Sequence, residues 1–261
     1  MSTKTMQGKL WSIQPQFWSM HFEPYFIPMY KIVLEQLKLK EDTMLLDAGC
    51  GSGLFSSMAI EAGADVLGVD AAPGLLELAR QRNPLNNFME EDLEALPFAD
   101  NSFHVVTGFN SFQYAGNFTN ALLEAKRVLK KGGRLVIGIW DKPETSDATQ
   151  VLKAIGSLLP PPPPGAPGPF ALSENGVIEG ICNSIGLDIQ FKTTAVCPFL
   201  YQNLQDAVKS FMGTGPAAAA LNHNRASVVQ DTVAGALKPF RLTDDLYFLQ
   251  NQFLVFIAVK K

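Results

Sequence analysis

Between residues 44 and 140, the chain alternates short apolar runs with amphipathic segments. The apolar runs predict buried strands at 44–48, 65–69, 87–90, 105–109 and 134–140. The amphipathic segments predict helices at 54–62, 73–82 and 118–130, the last one ended by the glycine pair at 132–133. Strands that alternate with helices need crossover connections, so we expect an α/β fold whose parallel sheet carries helices on both faces.

The segments on either side of this core predict a cap and a lid. An arm dense in aromatic residues, at 10–30, leads into a helix that runs to about residue 39. The prolines that begin at 160 predict a polyproline II connector up to residue 169. Beyond it we expect a helix at 174–185 between an N-cap at Ser173 and a terminator at Gly186, and strands at 188–196 and 252–259. Helical stretches are predicted at 204–212, 217–221 and 226–237. We therefore divide the chain into an N-terminal cap, 1–40, and one domain, 41–261, in which 199–250 forms an inserted helical lid.

Composition narrows the function classes. The chain has 21 Lys and Arg against 25 Asp and Glu, without a basic stripe, so a nucleic-acid binder is not expected. The longest apolar run, 253–259, is far shorter than a membrane span. The N-terminus lacks the apolar core of an export signal, so we expect a cytoplasmic protein. Three cysteines without a C-x-x-C pair predict free thiols, with neither disulfides nor a metal site.

The strongest local signal is the run Leu-Leu-Asp-Ala-Gly-Cys-Gly-Ser-Gly at 45–53, which directly follows the first predicted strand and opens a helix. Alternating glycines allow the backbone to approach a nucleotide-like ligand closely. The spacing does not match the dinucleotide fingerprint, and the Gly-Lys-Ser/Thr of a P-loop is absent. Asp47 beside the loop favours a cationic ligand without phosphate.

Three further polar sites follow the next strands. Asp70 lies 19 positions beyond Gly51, close to the spacing of a ribose-binding acid, although it can equally cap the following helix. Asp92 follows the third strand, where an acid and its neighbouring amide can bind adenine or form an acidic turn. Residues 107–113 follow the fourth strand at the carboxyl-end crevice, where open α/β sheets bind ligands.

At these residues the sequence resembles the class I S-adenosylmethionine-dependent methyltransferases. The glycine loop resembles the first motif of that family, Val69 and Asp70 its ribose-binding acid, and Asp92 and Leu93 its adenine-binding turn. Residues 96–103 and 127–135 resemble the later motifs, in the family's order. Within the family, the likeness is to the small-molecule enzymes related to ubiquinone and menaquinone biosynthesis. The resemblance covers residues 44–140, departs from the family at His104, where Asp is common, and leaves the acceptor half of the chain unmatched.

The resemblance implies a Rossmann-like, seven-stranded, mostly parallel sheet whose last strand, from Gln252, is antiparallel. It implies that S-adenosyl-L-methionine is the cofactor and that a cluster around the glycine loop holds it. The predicted cofactor residues are Asp47, Gly49, Cys50, Gly51, Gly53, Asp70, Ala71, Asp92, Leu93, Phe109 and Asn110.

The acceptor is expected to be a small, partly apolar or aromatic molecule that is methylated on oxygen, nitrogen or carbon. Its predicted binding residues are Trp18, Phe22, Tyr25, Gln113, Phe199 and Tyr201. Positioning should dominate the catalysis, with Asn110, Gln113 and Tyr114 orienting the acceptor and His21 as the candidate base. Two other interpretations stay open, a non-catalytic cofactor-binding regulator and an enzyme that uses the cofactor for another group transfer or cyclisation. The oligomeric state is not predicted.

Overall fold

The computed structural model describes residues 2–161 and 170–261, so most of the predicted polyproline connector lies outside the described residues. Among the described residues, nine strands follow one another in chain order. They are β1 (Met44–Ala48), β2 (Asp65–Asp70), β3 (Asn87–Glu90), β4 (Phe103–Phe109), β5 (Leu129–Trp140), β6 (Leu187–Val196), β7 (Phe199–Tyr201), β8 (Tyr247–Leu249) and β9 (Gln252–Lys260).

Seven of these strands form one sheet in the order β3-β2-β1-β4-β5-β9-β6. The first five run parallel to one another, whereas β9 runs antiparallel to both β5 and β6. The predicted Rossmann-like sheet with an antiparallel last strand is therefore confirmed. Reversal of strand order between β1 and β4 places the carboxyl ends of both strands at one crevice, where this fold class binds ligands.

The helices cover both faces of the sheet, as expected for parallel strands joined by crossovers. They are α1 (Lys4–Trp11), α2 (Pro15–Phe17), α3 (Ile27–Leu37), α4 (Leu54–Glu61), α5 (Pro73–Arg82), α6 (Phe118–Val128), α7 (Ala148–Gly156), α8 (Val177–Ser184), α9 (Leu204–Met212), α10 (Gly215–Leu221) and α11 (Ala226–Leu237). Among the described residues, no helix has the length and apolar character needed to cross a membrane.

Two hydrophobic clusters form the core, one on each face of the sheet. The first joins α3, α7 and the helices α9–α11 to one face through residues such as Met29, Val151 and Phe211. The second buries the apolar side of α6 and α8 on the other face, for example Leu122 and Cys182. The N-terminal segment and the 199–250 segment thus share one continuous core above the same face.

Two of the differences from the predicted boundaries change the role of a residue. The helix expected at 118–130 ends at Val128, and β5 already begins at Leu129, so Gly132 and Gly133 lie within that strand rather than capping the helix. The helix expected at 174–185 begins at Val177, and its N-cap is Gly176 with a φ of 82° instead of Ser173. The hydroxyl of Ser173 donates to the carbonyl oxygen of Trp140, a long-range contact that the local sequence does not encode.

The segment predicted as a lid begins and ends in a small separate sheet, in which β7 pairs antiparallel with β8. Helices α9, α10 and α11 occupy the chain between those two strands. Gly213 packs so closely on the N-terminal segment that a Cβ there would lie 2.4 Å from the backbone nitrogen of Trp18. The two elaborations of the sheet are therefore packed directly against each other.

Candidate active site

The glycine loop between β1 and α4 takes a conformation that requires its glycines. Gly49, Gly51 and Gly53 have φ angles of 82°, 55° and 77°, in the left-handed region that side chains disfavour. A Cβ on Gly49 would lie 2.2 Å from the Cβ of Ser111, which follows β4. The loop therefore passes in van der Waals contact with the end of β4, and the crevice between them forms the floor of a cleft.

This cleft gathers most of the predicted cofactor residues. The predicted residues that line it are Gly49, Gly51, Asp70, Ala71, Asp92, Leu93, Phe109 and Asn110. Three others lie outside its lining. Cys50 is buried beneath the loop, Gly53 is the N-cap of α4, and Asp47 lies within the sheet.

Asp70 sits at the centre of the cleft with its carboxylate held by backbone amides. Gly51 N donates to Oδ2 and Ala72 N to Oδ1, each at 2.9 Å. Burial raises the pKa of this carboxyl group, and these hydrogen bonds oppose the shift. A carboxylate oxygen accepts more than one hydrogen bond, so Asp70 retains lone pairs for vicinal hydroxyls. The N-cap of α5 is Ala72, so Asp70 does not cap that helix as the sequence allowed, and the hydrogen bond that it accepts from Ala72 N leaves it free to accept others from a ribose.

The turn at Asp92 forms one end of the cleft. The Asp92 carboxylate accepts a hydrogen bond from Glu94 N at 2.9 Å and another from the Ser2 hydroxyl. Leu93 and Ala115 add apolar lining on either side. An acid, a backbone turn and apolar walls together suit a planar heterocycle that carries an exocyclic amine.

Residues at the start of the chain line the cleft, and none of them was among the predicted site residues. Thr3, Lys4, Gln7 and Trp11, all on or beside α1, line it. The Thr3 hydroxyl donates to the carbonyl oxygen of Tyr114, and Lys4 Nζ donates to the carbonyl oxygen of Glu90 at 3.0 Å. Trp11 was the sequence signal for this lining, because a tryptophan in an otherwise polar segment needs an apolar surface to pack on.

A buried ion pair joins the aromatic arm to the glycine loop. Glu23 is 2% exposed, and its Oε2 lies 3.0 Å from Arg82 Nη1. Ser52 binds the same carboxylate through its backbone amide and its hydroxyl. Burial raises the pKa of Glu23, while the hydrogen bonds and the charge of Arg82 oppose the shift. Sequence analysis missed this group, although an acid within an aromatic run was its signal.

Asp47 supports the loop from inside the sheet. It is 1% exposed, and both its carboxylate oxygens accept hydroxyl hydrogen bonds, from Ser56 at 2.7 Å and from Thr107 at 2.9 Å. Burial raises the pKa of the Asp47 carboxyl group to about 7, and these hydrogen bonds oppose the shift. The side chain lies outside the lining of the cleft, so its contacts tie β1 to α4 and β4.

We expect the Asp47→Asn variant to remove a pH dependence of stability. The native protein keeps a proton that the unfolded chain releases between about pH 4 and 7, so the wild type loses stability as the pH rises through this window. From pH 5 to 8, the free energy of unfolding of the wild type should fall by on the order of 3 kcal/mol more than that of the Asp47→Asn variant. Urea unfolding at both pH values measures this difference. Asp65→Asn, at the exposed start of β2, is the control, and parallel curves for the wild type and Asp47→Asn would contradict the expectation.

The predicted acceptor residues separate into two groups. Trp18 lines the cleft, whereas Phe22, Phe199 and Tyr201 are at most 2% exposed. Phe22 meets Phe199 edge to face with ring centroids 5.3 Å apart, and Tyr25 stacks on Phe199 at 4.7 Å. In the described structure these four rings therefore form the contact between the arm and the lid segment.

The two candidate catalytic residues occupy different places. Tyr114 lines the cleft, and burial raises the pKa of its hydroxyl to about 12, so it is a hydrogen-bond donor at neutral pH. His21 lies outside that lining, with Nδ1 3.9 Å from Asp206 Oδ1 on α9. The other predicted orienting pair, Asn110 and Gln113, is joined by a hydrogen bond of 3.3 Å. Asn110 lines the cleft, whereas Gln113, also a predicted acceptor residue, lies outside its lining.

Asn110 and Gln113 each keep one buried amide atom without a partner among the described residues, Nδ2 and Oε1 respectively. The assignment of amide oxygen and nitrogen atoms follows from hydrogen bonding, so both amides can be reversed together. Either way, the pair presents one free donor and one free acceptor. Asn110 also has a φ of 48°, a conformation costly for a non-glycine residue.

Comparisons with known proteins find similar methyltransferases. A family model described as a methyltransferase domain matches residues 46–137. The demethylmenaquinone methyltransferase of Renibacterium salmoninarum is 34% identical over 113 residues, which are 43% of this chain and 48% of that protein. The malonyl-[acyl-carrier protein] O-methyltransferase of Buchnera aphidicola is 27% identical over 194 residues, 74% of each chain. The solved YcgJ protein of Bacillus subtilis superposes with a TM-score of 0.59 at 18% identity, over 89% of this chain and 97% of that one.

The matches differ in what they cover. The chain spans about half the length of the demethylmenaquinone methyltransferase, and the matched family model ends within β5. The structural likeness extends over most of the chain and shows the fold. The matched family model thus spans the glycine loop, Asp70, Asp92 and the end of β4, which line the cleft.

Proposed function

We propose that the chain is a class I S-adenosylmethionine-dependent methyltransferase and that it transfers a methyl group to a small, partly apolar or aromatic molecule. The observation that carries the proposal is the cleft itself, where the glycine loop, Asp70 and Asp92 come together in the order that such a cofactor needs. When bound, S-adenosyl-L-methionine supplies an electrophilic methyl group on a sulfonium. No acceptor atom among oxygen, nitrogen and carbon is favoured by the described residues.

Each predicted cofactor residue in the cleft has a distinct proposed task. The lone pairs of Asp70 accept the ribose hydroxyls, and Asp92 with Leu93 binds the adenine edge and face. Gly49 lets the loop lie against Ser111, and the bare backbone of Gly51, opposite Trp18 Nε1, leaves room for the sulfonium and its amino-acid tail. Phe109 and Asn110 close the cleft at the end of β4.

Positioning of the acceptor is the proposed source of catalysis. Tyr114 can donate a hydrogen bond, and the Asn110–Gln113 pair offers one donor and one acceptor. Holding the acceptor atom in line with the transferred methyl group lowers the barrier by several kcal/mol, since an intermolecular reaction becomes effectively intramolecular. His21 faces Asp206 instead of the cleft, which supports positioning over a histidine base.

The N-terminal cap and the 199–250 segment are proposed to cover the site during the reaction. Their support is the contact of α1 with Asp92, Glu90 and Tyr114, and the close packing of Gly213 on Trp18. Protection of both segments from hydrogen exchange on cofactor binding tests the cover. The cytoplasmic location and the lack of a nucleic-acid partner stay predictions.

Calorimetry tests the cofactor assignment. S-adenosylmethionine and S-adenosylhomocysteine should bind, and NAD should not. Asp70→Ala should weaken the binding of S-adenosylhomocysteine by about 1 to 3 kcal/mol, because hydrogen bonds to a charged acceptor are lost. Asp65→Ala, at the exposed opposite end of β2, should leave the affinity unchanged. Tight NAD binding, or equal affinities for both variants, would overturn the assignment.

The transfer itself needs a separate experiment. Purified protein incubated with methyl-labelled cofactor and a metabolite extract should pass the label to a small molecule. Consumption of the cofactor without a labelled acceptor would favour another group transfer or cyclisation. Tight cofactor binding without any turnover would favour the regulatory interpretation.

A further inference from the structure

The indole of Trp18 is held in one orientation at the wall of the cleft. It stacks on Phe22 with ring centroids 5.0 Å apart and planes 15° apart, and it meets Trp11 edge to face at 4.8 Å. The residue is 9% exposed. Contacts on two sides thus fix the direction of its ring nitrogen before any ligand arrives.

That ring nitrogen, Nε1, is buried and has no hydrogen-bond partner among the residues that the structure describes. It lies 3.4 Å from the position that a Cβ on Gly51 would occupy, so it faces the glycine loop across the cleft. An indole N–H can only donate, and a buried donor without an acceptor costs about 1 to 3 kcal/mol. The position therefore calls for an acceptor group supplied by a ligand.

The loop opposite cannot provide donors of its own, because its backbone amides are already used. Gly49 N and Cys50 N donate to the carbonyl oxygen of Val69, and Gly53 N donates to that of Cys50. Gly51 N donates to Asp70, and Ser52 N donates to Glu23. An anionic group placed over Gly51 must therefore find its donor outside the loop, and Trp18 Nε1 is the donor that faces it.

We propose that Trp18 Nε1 donates a hydrogen bond to the carboxylate of the cofactor's amino-acid tail, and so selects ligands that keep this carboxylate. The inference rests on the proposed cofactor. It moves Trp18 from the acceptor side, where the sequence predicted it, to the cofactor side. The Glu23 carboxylate nearby does not oppose this arrangement, since Arg82 pairs with it at 3.0 Å.

A ligand pair that differs in the carboxylate isolates this contact. S-adenosylhomocysteine has the complete tail, whereas S-adenosyl-3-thiopropylamine keeps the amine and lacks the carboxylate. Calorimetry with the Trp18→Phe variant should show an affinity for S-adenosylhomocysteine that is lower by roughly 10- to 100-fold, as expected when a hydrogen bond to a charged group is lost. The affinity for the amine ligand should change by less than about 3-fold, because this ligand has no carboxylate to accept the bond. A general loosening of the cleft would instead weaken the binding of both ligands equally.

Trp11→Phe is the matched control. Trp11 lines the same cleft, but its Nε1 already donates to Gln7 Oε1 at 3.2 Å. Its replacement should therefore weaken both ligands by the same factor. If Trp18→Phe is poorly folded, 3-benzothienylalanine at position 18 keeps the shape of the indole and lacks the N–H.

The outcomes separate the inference from its premise. Equal weakening of both ligands by Trp18→Phe, or no weakening, would overturn the role of Nε1 while leaving the cofactor assignment intact. A wild-type protein that binds neither ligand would instead overturn the proposed function.

Discussion

Replacing Gly49 by alanine is expected to lower the free energy of unfolding by about 3 kcal/mol or more and to abolish measurable cofactor binding. A side chain at a φ of 82° costs about 1 to 2 kcal/mol. Its Cβ would also lie 2.2 Å from the Cβ of Ser111, and the overlap adds about 1 to 3 kcal/mol unless the end of β4 moves. Urea unfolding and calorimetry with S-adenosylhomocysteine measure the two effects.

Gly176 provides a control with the same backbone angle. Its φ is also 82°, and a Cβ there would meet nothing within 4 Å. Gly176→Ala should therefore lose only the conformational part, about 1 to 2 kcal/mol, and should bind the cofactor normally. Equal losses in both variants would mean that contact with Ser111 is unimportant and that the loop tolerates a side chain.

The second large effect is expected from Glu23→Ala. Removing one partner of a buried ion pair costs about 3 to 5 kcal/mol, and the lower end applies here because the Arg82 side chain is 29% exposed and regains water. Ser52 loses a hydrogen-bond partner for its amide at the same time, so the loop and the arm should separate more readily. The free energy of unfolding measured in urea and the affinity for S-adenosylhomocysteine should both fall.

Two variants define the origin of this effect. Glu23→Gln keeps an acceptor for Ser52 and should lose clearly less stability than Glu23→Ala. Glu179→Ala removes a pair with Lys192 whose side chains are 36% and 43% exposed, and it should cost at most about 1 kcal/mol. A Glu23→Ala protein as stable as Glu179→Ala would show that the buried pair adds nothing to the docking of the arm.

The sequence was sufficient where the signal is local. The glycine loop, the acid at the end of β2 and the acid after β3 each follow a strand directly, so their meeting at one crevice follows from the topology of a parallel sheet. The strand β1 and the helix α9 have the predicted bounds, since their apolar periodicity is strong and their ends carry clear turn residues.

The contacts that join the N-terminal segment to the cleft could not be predicted, because they link distant residues. Thr3 meets Tyr114 across 111 positions, and Glu23 meets Arg82 across 59. No local pattern marks such pairs. Aromatic residues raise a further ambiguity, since Phe22 and Phe199 suit an apolar acceptor and a protein core equally well. Whether they pack on each other depends on how the whole arm and the lid segment fold together, and a local sequence pattern does not contain this information.

The position of β9 has a consequence for how the chain folds during synthesis. Both of its neighbours in the sheet, β5 and β6, precede it in the chain, and the edge strand β6 pairs with β9 alone. A nascent chain that has emerged as far as β6 therefore exposes an unpaired edge on β5 and a strand with no partner. Such edges are prone to pair with other chains, so the interval before β9 leaves the ribosome is when this protein most needs a chaperone.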